Sequence, residues 1–383
     1  MGKHALLSAS SAHRWLNCPP SVRLTERYVD RGSDYAAQGT EAHTLCEYKL
    51  RYALGEDLSC VADIRETLDY YSDEMEECAT EYTAFVMDLL SEAHQHCSDP
   101  HVLVEQRLDY SRFAENGFGT GDCLIIADGS LHVIDFKYGQ GVQVEAEQNP
   151  QMMLYALGAL EIFDDLYDIS TVTMTIFQPR RANISTWSVS KTDLYAWAED
   201  TLRPAADLAF KGEGKYHSGA WCQFCKAKHD CRARADAQME LMRYDFQLPP
   251  LLSDADMEDI LGCVDQLVAW AEDIKEYALR SALSGKKWPG WKLVEGRTNR
   301  RYTDETAVAH IVTGAGLDPY DHKLRGITAM TSLLGRKRFE ELLGDLIEKP
   351  QGKPALAPES DRRPALNYND YKDEGESSYG DSE

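Results

Sequence analysis

The chain has 383 residues, with 64 acidic against 40 basic side chains and a formal net charge of −24. Hydrophobic residues make up 43% and aromatics 10%, which excludes wholesale disorder and provides for a substantial core. So acidic a balance argues against a passive nucleic-acid coat, which would read as basic, but it leaves room for an enzyme with a local basic groove.

The opening residues, Met1 to Leu7, contain no apolar stretch of signal-peptide length, and no window reaches the roughly 18 apolar residues of a membrane span. A cytoplasmic location is therefore expected, with no membrane partner. In such a compartment the ten cysteines read as thiols and metal ligands, not disulfides. Ser8 to Ser11 can cap a helix carrying Trp15 and Leu16, ended by Cys18-Pro19-Pro20. A second helix starts near Gly39-Thr40 and carries His43, Cys46 and Leu50. Residues 63–97 repeat apolar side chains at helical spacing.

A β-rich stretch follows. Val102–Leu108 alternates as a strand does, and Gly121–Ile126 is a second strand leading into an Asp128-Gly129 hairpin turn. Leu131–Lys137 is the third, after which Gly139 and Gly141 break the pattern. A helix from Pro150 to Leu160 carries Gln151 and Tyr155, and Val172–Phe177 is a further strand ended by Gln178-Pro179. Residues 191–210 return to helix. Leu261–Leu283 reads as a long amphipathic helix, with further helices near 304–316 and 327–348. Beyond Lys349 the composition is that of a disordered acidic tail.

The chemistry concentrates in Gly119-Thr120-Gly121-Asp122 and Asp135-Phe136-Lys137. Hydrolysis of a phosphodiester needs a nucleophilic water and neutralisation of charge on the phosphoryl oxygens, which a divalent cation held by carboxylates supplies. Asp122 and Asp135 are suitable ligands for Mg²⁺ or Mn²⁺, with the Phe136 carbonyl as a third. Lys137, two residues from Asp135 on a strand, projects from the same face and can orient or deprotonate the water. A carboxylate inside Val133-Ile134-Asp135-Phe136 is informative, because an apolar strand rarely carries one without a partner or a function. Farther on, Cys222, Cys225 and Cys231 place three thiols in a short loop. Thiolates suit Zn²⁺ or an iron–sulphur cluster; His229 or His217 could complete a zinc site, whereas a cluster calls for a fourth cysteine.

Gly39-xxx-His43, Asp122, Asp135-Phe136-Lys137 and Gln151-xxx-Tyr155 resemble, in that order, the motifs of the PD-(D/E)XK nuclease superfamily and its RecB-like branch. The resemblance implies a restriction-endonuclease-like α/β core, a mixed sheet flanked by helices. It implies that His43 is an additional metal ligand, that Gln151 and Tyr155 contact the nucleic-acid strand or support the site, and that Glu105 is an acid of the preceding strand. AddB-like and CRISPR-associated RecB-like nucleases also have one cysteine before these motifs and a Cys-xx-Cys-xxxxx-Cys group after them. By that likeness Cys18, Cys222, Cys225 and Cys231 bind a [4Fe–4S] cluster as a structural staple, with Zn²⁺ the alternative.

The expected organisation is a nuclease domain over 1–240, a small, mainly helical domain over 250–349 and a tail over 350–383. The expected activity is Mg²⁺- or Mn²⁺-dependent cleavage of linear duplex or single-stranded DNA. An exonuclease serving phage or prophage recombination or replication is favoured, with a phage single-strand-binding or annealing protein as a partner. The rivals are a structure-specific endonuclease and a non-catalytic DNA-binding or scaffold protein that keeps the fold. Lys286–Arg301, with Trp288 and Trp291, and the runs Arg180-Arg181 and Arg336-Lys337-Arg338 are candidate phosphate contacts. No Gly-xxxx-Gly-Lys-Ser/Thr loop is found, so no helicase motor is expected.

Overall fold

The computed structural model describes residues 5–28, 32–58, 63–240, 252–294 and parts of 304–347. The chain forms two units, Met1–Lys286 and Lys287–Glu383.

The first unit is a mixed α/β layer structure built on one five-stranded sheet. Short helices α1 (Ala12–Asn17) and α2 (Ser21–Thr25) precede two long ones, α3 (Asp34–Ala53) and α4 (Asp73–His96). The serine side chains of Ser33 and Ser72 cap α3 and α4 by accepting from Ala36 N and Met75 N. The capping serine starts α3 at Asp34, ahead of the Gly39-Thr40 start expected from the sequence.

Strands β1 (His101–Asp109), β2 (Phe118–Ala127) and β3 (Ser130–Phe136) form an antiparallel meander, with Asp128-Gly129 as the two-residue turn between β2 and β3. Gly129 takes the positive φ that this turn requires. Helix α5 (Pro150–Phe163) then crosses over to β4 (Thr171–Gln178), which lies parallel to β3; β5 (Asn183–Ser190) pairs antiparallel with β4. The sheet order is β1-β2-β3-β4-β5.

Both faces of the sheet are covered, which is why β2 is buried continuously from Cys123 to Ala127. Leu124, Ile126, Val133, Met174 and Ile176 face α5, whose residues Met152 to Leu160 are all buried, together with Trp15 and Leu7 from the N-terminus. Cys123, Ile125, Ile134, Phe136 and Phe177 face α3 and α4.

Helices α6 (Lys191–Trp197) and α7 (Arg203–Lys211) return the chain to α1 and α2, where Arg23 Nε donates to Phe210 O at 2.7 Å. The cysteine loop, α8 (Arg232–Met239), α9 (Asp254–Leu261) and α10 (Val264–Leu283) complete this unit. The long helix expected over 261–283 is interrupted at Gly262-Cys263, and α9 and α10 group with the first unit instead of a separate C-terminal one. Asp273 of α10 makes ion pairs with Lys228 at 2.7 Å and Arg234 at 2.6 Å, and Tyr277 stacks on His229 at 4.1 Å.

The second unit contains helices Glu305–Gly314 and Arg336–Leu343 among its described residues. The tail over 350–383 lies outside the described residues, as do the side chains of Arg336 and Lys337 and positions 295–301 of the basic tryptophan segment; the Arg338 side chain is exposed.

Candidate functional site

The last paired residues of β2 and β3 toward this end are Cys123 and Ile134, so Asp122 and Asp135 stand opposite one another where the two strands part. Asp122 Oδ2 accepts from the Phe136 amide across this fork at 2.7 Å, and Asp122 Oδ1 lies 3.3 Å from His43 Nδ1 on α3. The His43 ring meets the Phe136 ring edge-on at 5.4 Å. His43, Glu105 and Asp122 have ligand atoms that all lie within 4.8 Å of one another, a spacing that suits a cation.

Glu105 reaches this group through a backbone anomaly. Its φ is +53°, a left-handed conformation uncommon for a side chain of its kind. The face assignments give the reason. On β1, Leu103 faces α5 and Val104 faces α3, as alternation demands, but Leu108 faces α5 as well. Alternation therefore slips by one residue between Val104 and Leu108, where Glu105 sits. The slip is repeated on β2: Leu124 faces α5, yet Gly119 packs on Tyr155 of α5 and Gly121 on Leu108. Glu105 and Asp122 both fall between the paired rungs Val104–Cys123 and Gln106–Gly121, so both strands change phase together and both carboxylates turn toward His43.

On the other side of the fork, Asp135 is 2% exposed. Lys137 Nζ lies 2.8 Å from Asp135 Oδ2, and Gln151 joins both: its Nε2 donates to Asp135 Oδ1 at 3.2 Å and its Oε1 accepts from Lys137 Nζ at 3.3 Å. Gln151 Nε2 also lies 3.3 Å from the Tyr155 hydroxyl. The side chain of Asn149 holds the start of α5 by accepting from Gln151 N and Met152 N, which fixes the approach of both residues. Although Lys137 is within ion-pair distance, Asp135 Oδ2 takes no hydrogen bond of good geometry, so a buried carboxylate oxygen is left with spare acceptor capacity.

The electrostatics follow from crowding. Burial raises the Asp135 pKa, Lys137 opposes the rise, and Asp122 adds to it. Burial also acts to raise Asp122, but His43, Lys137 and the Phe136 amide outweigh it and hold that carboxyl below its ordinary value. Glu105 is pushed up to about 7 by burial and by the Asp122 charge. For Lys137, burial favours the neutral amine, but Asp135 and Asp122 more than offset it and the ammonium is retained. His43 is likewise raised against its burial, by Asp122.

The residues singled out from 43 to 155 thus meet in two groups on either side of one fork. His43, Glu105 and Asp122 form one, Asp135, Lys137, Gln151 and Tyr155 the other, with Phe136 between them. Gln178 reads in the sequence only as the end of a strand. It is 1% exposed; its Nε2 donates to Gly139 O and Val142 O, both at 2.8 Å, and its Oε1 accepts from Val144 N at 3.2 Å. It ties down the loop between Lys137 and α5. A polar side chain closing the apolar run Thr175-Ile176-Phe177 is the signal that could have identified it, by the reasoning that picks out Asp135.

Cys18, Cys222 and Cys225 are buried and Cys231 half-buried. Burial pushes the Cys18 thiol up, and Cys222 and Cys231 add to the shift; burial also raises Cys225, which is affected by the same two thiols. Cys18 is thus brought beside a loop about 200 residues away in sequence. Arg14 lies close enough to feel Cys225 and Cys18, and donates to Ser21 Oγ at 2.8 Å. Tyr28 bonds Asp230, and His13 meets Trp221 edge-on at 5.7 Å, fastening the loop to the N-terminal helices. His229, a zinc-ligand candidate, stacks on Tyr277.

Of the candidate phosphate contacts, Arg180 is engaged with Glu74 through two bonds of 3.0 Å, and Arg181 donates to Gln140 O. Trp291 is 85% exposed. Among the described residues no helix is long and apolar enough to cross a membrane.

A solved structure described as "Crystal structure of SSO0001" aligns over 61% of this chain and 89% of its own at 12% identity; its TM-score of 0.26 is too low to support a conclusion. The family model described as "Protein of unknown function (DUF2800)" matches residues 4–364, and the chain belongs to that family.

Proposed function

We propose that this protein is a metal-dependent deoxyribonuclease with a PD-(D/E)XK core of the RecB-like type, acting as an exonuclease on linear DNA. The observation that supports this most is the meeting, at one strand fork, of His43, Glu105, Asp122, Asp135, Lys137 and Gln151, which lie up to 108 positions apart in sequence. The spare acceptor capacity of Asp135 and the close grouping of His43, Glu105 and Asp122 fit a divalent cation.

Mg²⁺ or Mn²⁺ bound there would supply charge neutralisation and a water of lowered pKa. Asp122, Asp135, His43 and Glu105 would hold it, with the Phe136 carbonyl as a further oxygen ligand. The chain's own residues do the rest. The Lys137 ammonium, kept charged by two carboxylates, orients the attacking water and offsets charge growing on the phosphoryl oxygens. Gln151 holds the ammonium and Asp135 in mutual register, and Tyr155 supports Gln151 from beneath Gly119. The buried walls of Phe136 and Tyr82 limit water around the carboxylates, which strengthens each of these contacts.

The same proposal gives Cys18, Cys222, Cys225 and Cys231 to a [4Fe–4S] cluster that closes the core; the engagement of His229 with Tyr277 favours a four-thiolate set over zinc completed by His229.

The deciding experiment follows release of end label from linear duplex and single-stranded DNA with Mn²⁺ or Mg²⁺, for wild type beside Asp135→Ala and Lys137→Ala. Release by the wild type alone is expected, with losses of at least about 10²-fold in either variant. Equal traces for all three proteins would leave a binding or scaffold role. Cleavage of closed circular DNA would make the protein an endonuclease.

A further inference from the structure

The phase change at Glu105 and Asp122 has a second product. Beyond that point the face of the β1–β2 ribbon on the α3 side carries Arg107, Phe118 and Thr120, the residues opposite in phase to Leu108, Gly119 and Gly121. Arg107 and Thr120 are directly paired in the register and both are exposed, while Phe118 is half-buried. The guanidinium of Arg107 lies over the Phe118 ring, 4.1 Å from its centroid.

Arg107 differs from the other arginines near the site. Arg51 is held by Glu47 and Glu56, and Arg180 by Glu74. Among the ion pairs of the described residues none involves Arg107, in a chain with 64 acids. Of the two acids nearest in sequence on its strand face, Glu105 belongs to the carboxylate fork, and Asp109 accepts from Ser111 N at 2.8 Å, a bond that, with a smaller contribution from the Arg107 charge, holds its carboxyl below the ordinary value. An aromatic platform in place of a carboxylate fixes the guanidinium plane and leaves its N–H edge free for a ligand. Arg107 also stands two residues along β1 from Glu105, on the same face, which is about 7 Å and close to the separation of neighbouring phosphates in an extended strand.

We propose that this ribbon face is a strand-binding subsite in which Arg107, held on Phe118, takes the phosphate adjacent to the one at the carboxylate fork. The inference rests on the nuclease reading above and adds to it the path of the strand and the residue that holds its neighbouring phosphate: the strand lies along β1, with Arg107 as its anchor. Arg107 binds and does not react. Its loss therefore weakens capture of the strand and leaves the reacting centre in place.

The test is steady-state cleavage of a single-stranded oligonucleotide with Mn²⁺ by wild type, Arg107→Ala and Arg107→Lys, repeated over a range of salt. For Arg107→Ala the expected result is a KM raised about tenfold with a much smaller change in kcat. The logarithmic salt dependence of kcat/KM should be shallower by about 0.7, the share of one single-strand phosphate. Arg107→Lys should recover the salt slope, because it keeps the charge. If wild type cleaves and Arg107→Ala matches it in KM and slope, the subsite is wrong and the nuclease reading stands. A fall in kcat at unchanged KM would also overturn it, by placing the effect at the reacting centre. Failure of the wild type itself to cleave or bind DNA would remove the nuclease reading and the subsite together.

Discussion

Asp135 was legible in the sequence because nothing else accounts for a carboxylate within an apolar strand, and the structure shows what accompanies it: an ammonium, an amide and spare acceptor capacity. The neighbouring glycines were legible only as punctuation. Gly121 opens the strand expected from the sequence and Gly119 falls before it, yet both lie within β2. They are required because α5 and β1 come too close for side chains. A Cβ on Gly119 would stand 2.6 Å from Tyr155 Cε1, and one on Gly121 3.0 Å from Leu108 Cδ1. Single-residue patterns do not reveal a contact made across the sheet. Gly119→Ala should therefore displace the buried Tyr155 ring and, through it, Gln151. The expected cost is about 1–3 kcal/mol of stability, read by urea unfolding, with a disproportionate fall in kcat. An unperturbed kcat would show that Tyr155 does not position Gln151.

At the scale of elements, β1 to β4 and α5 follow from alternation, the Asp128-Gly129 turn and the Asn149-Pro150 helix start. Strand β5 escaped the sequence reading: Asn183-Ile184-Ser185-Thr186 is a sheet edge whose alternation is carried by hydroxyls as much as by apolar groups. Those hydroxyls extend a polar rung into the sheet. His132 Nε2 lies 2.8 Å from Thr175 Oγ1, which lies 2.8 Å from Thr186 Oγ1. Burial pushes the His132 pKa down to about 4, from an ordinary value of 6.5. As pH falls, the unfolded chain takes up the proton first, so the neutral rung stabilises the fold fully above about pH 6.5. That contribution is lost progressively between about 6.5 and 4. With the ring half-buried, the loss is on the order of 2 kcal/mol. His132→Gln keeps a polar side chain but cannot titrate in this range. Its urea midpoint should fall less steeply than the wild type's over the same interval; parallel curves would show that His132 does not carry the acid sensitivity.

Over the whole molecule, the Cys222-xx-Cys225-xxxxx-Cys231 spacing is what suggests a thiol site, and the proposed participation of Cys18 comes from resemblance alone, since no local pattern links positions about 200 residues apart. The attachment of α10 was equally hidden: Lys228 and His229, between the second and third cysteines, bind Asp273 and Tyr277, while Asp230 bonds Tyr28. One loop therefore fastens the N-terminal helices, the end of the core and α10, so its integrity bears on a large part of the chain. If all four thiols ligate one group, closing a loop of this length restricts the unfolded chain by at most about 4–5 kcal/mol. Removing any one ligand should forfeit most of that gain. Cys18→Ser and Cys225→Ser should then lower the urea midpoint of anaerobically purified protein by similar amounts, and the double variant little further, a strongly non-additive cycle. Iron and acid-labile sulphide should be lost in step with the midpoint, and zinc in their place would identify the alternative metal. Additive effects, or a Cys18→Ser protein as stable and as fully loaded as the wild type, would separate Cys18 from the other three thiols. The N-terminal helices would then be held by the burial of Trp15 and Val22 in the core and by contacts such as Arg23 to Phe210 and Tyr28 to Asp230.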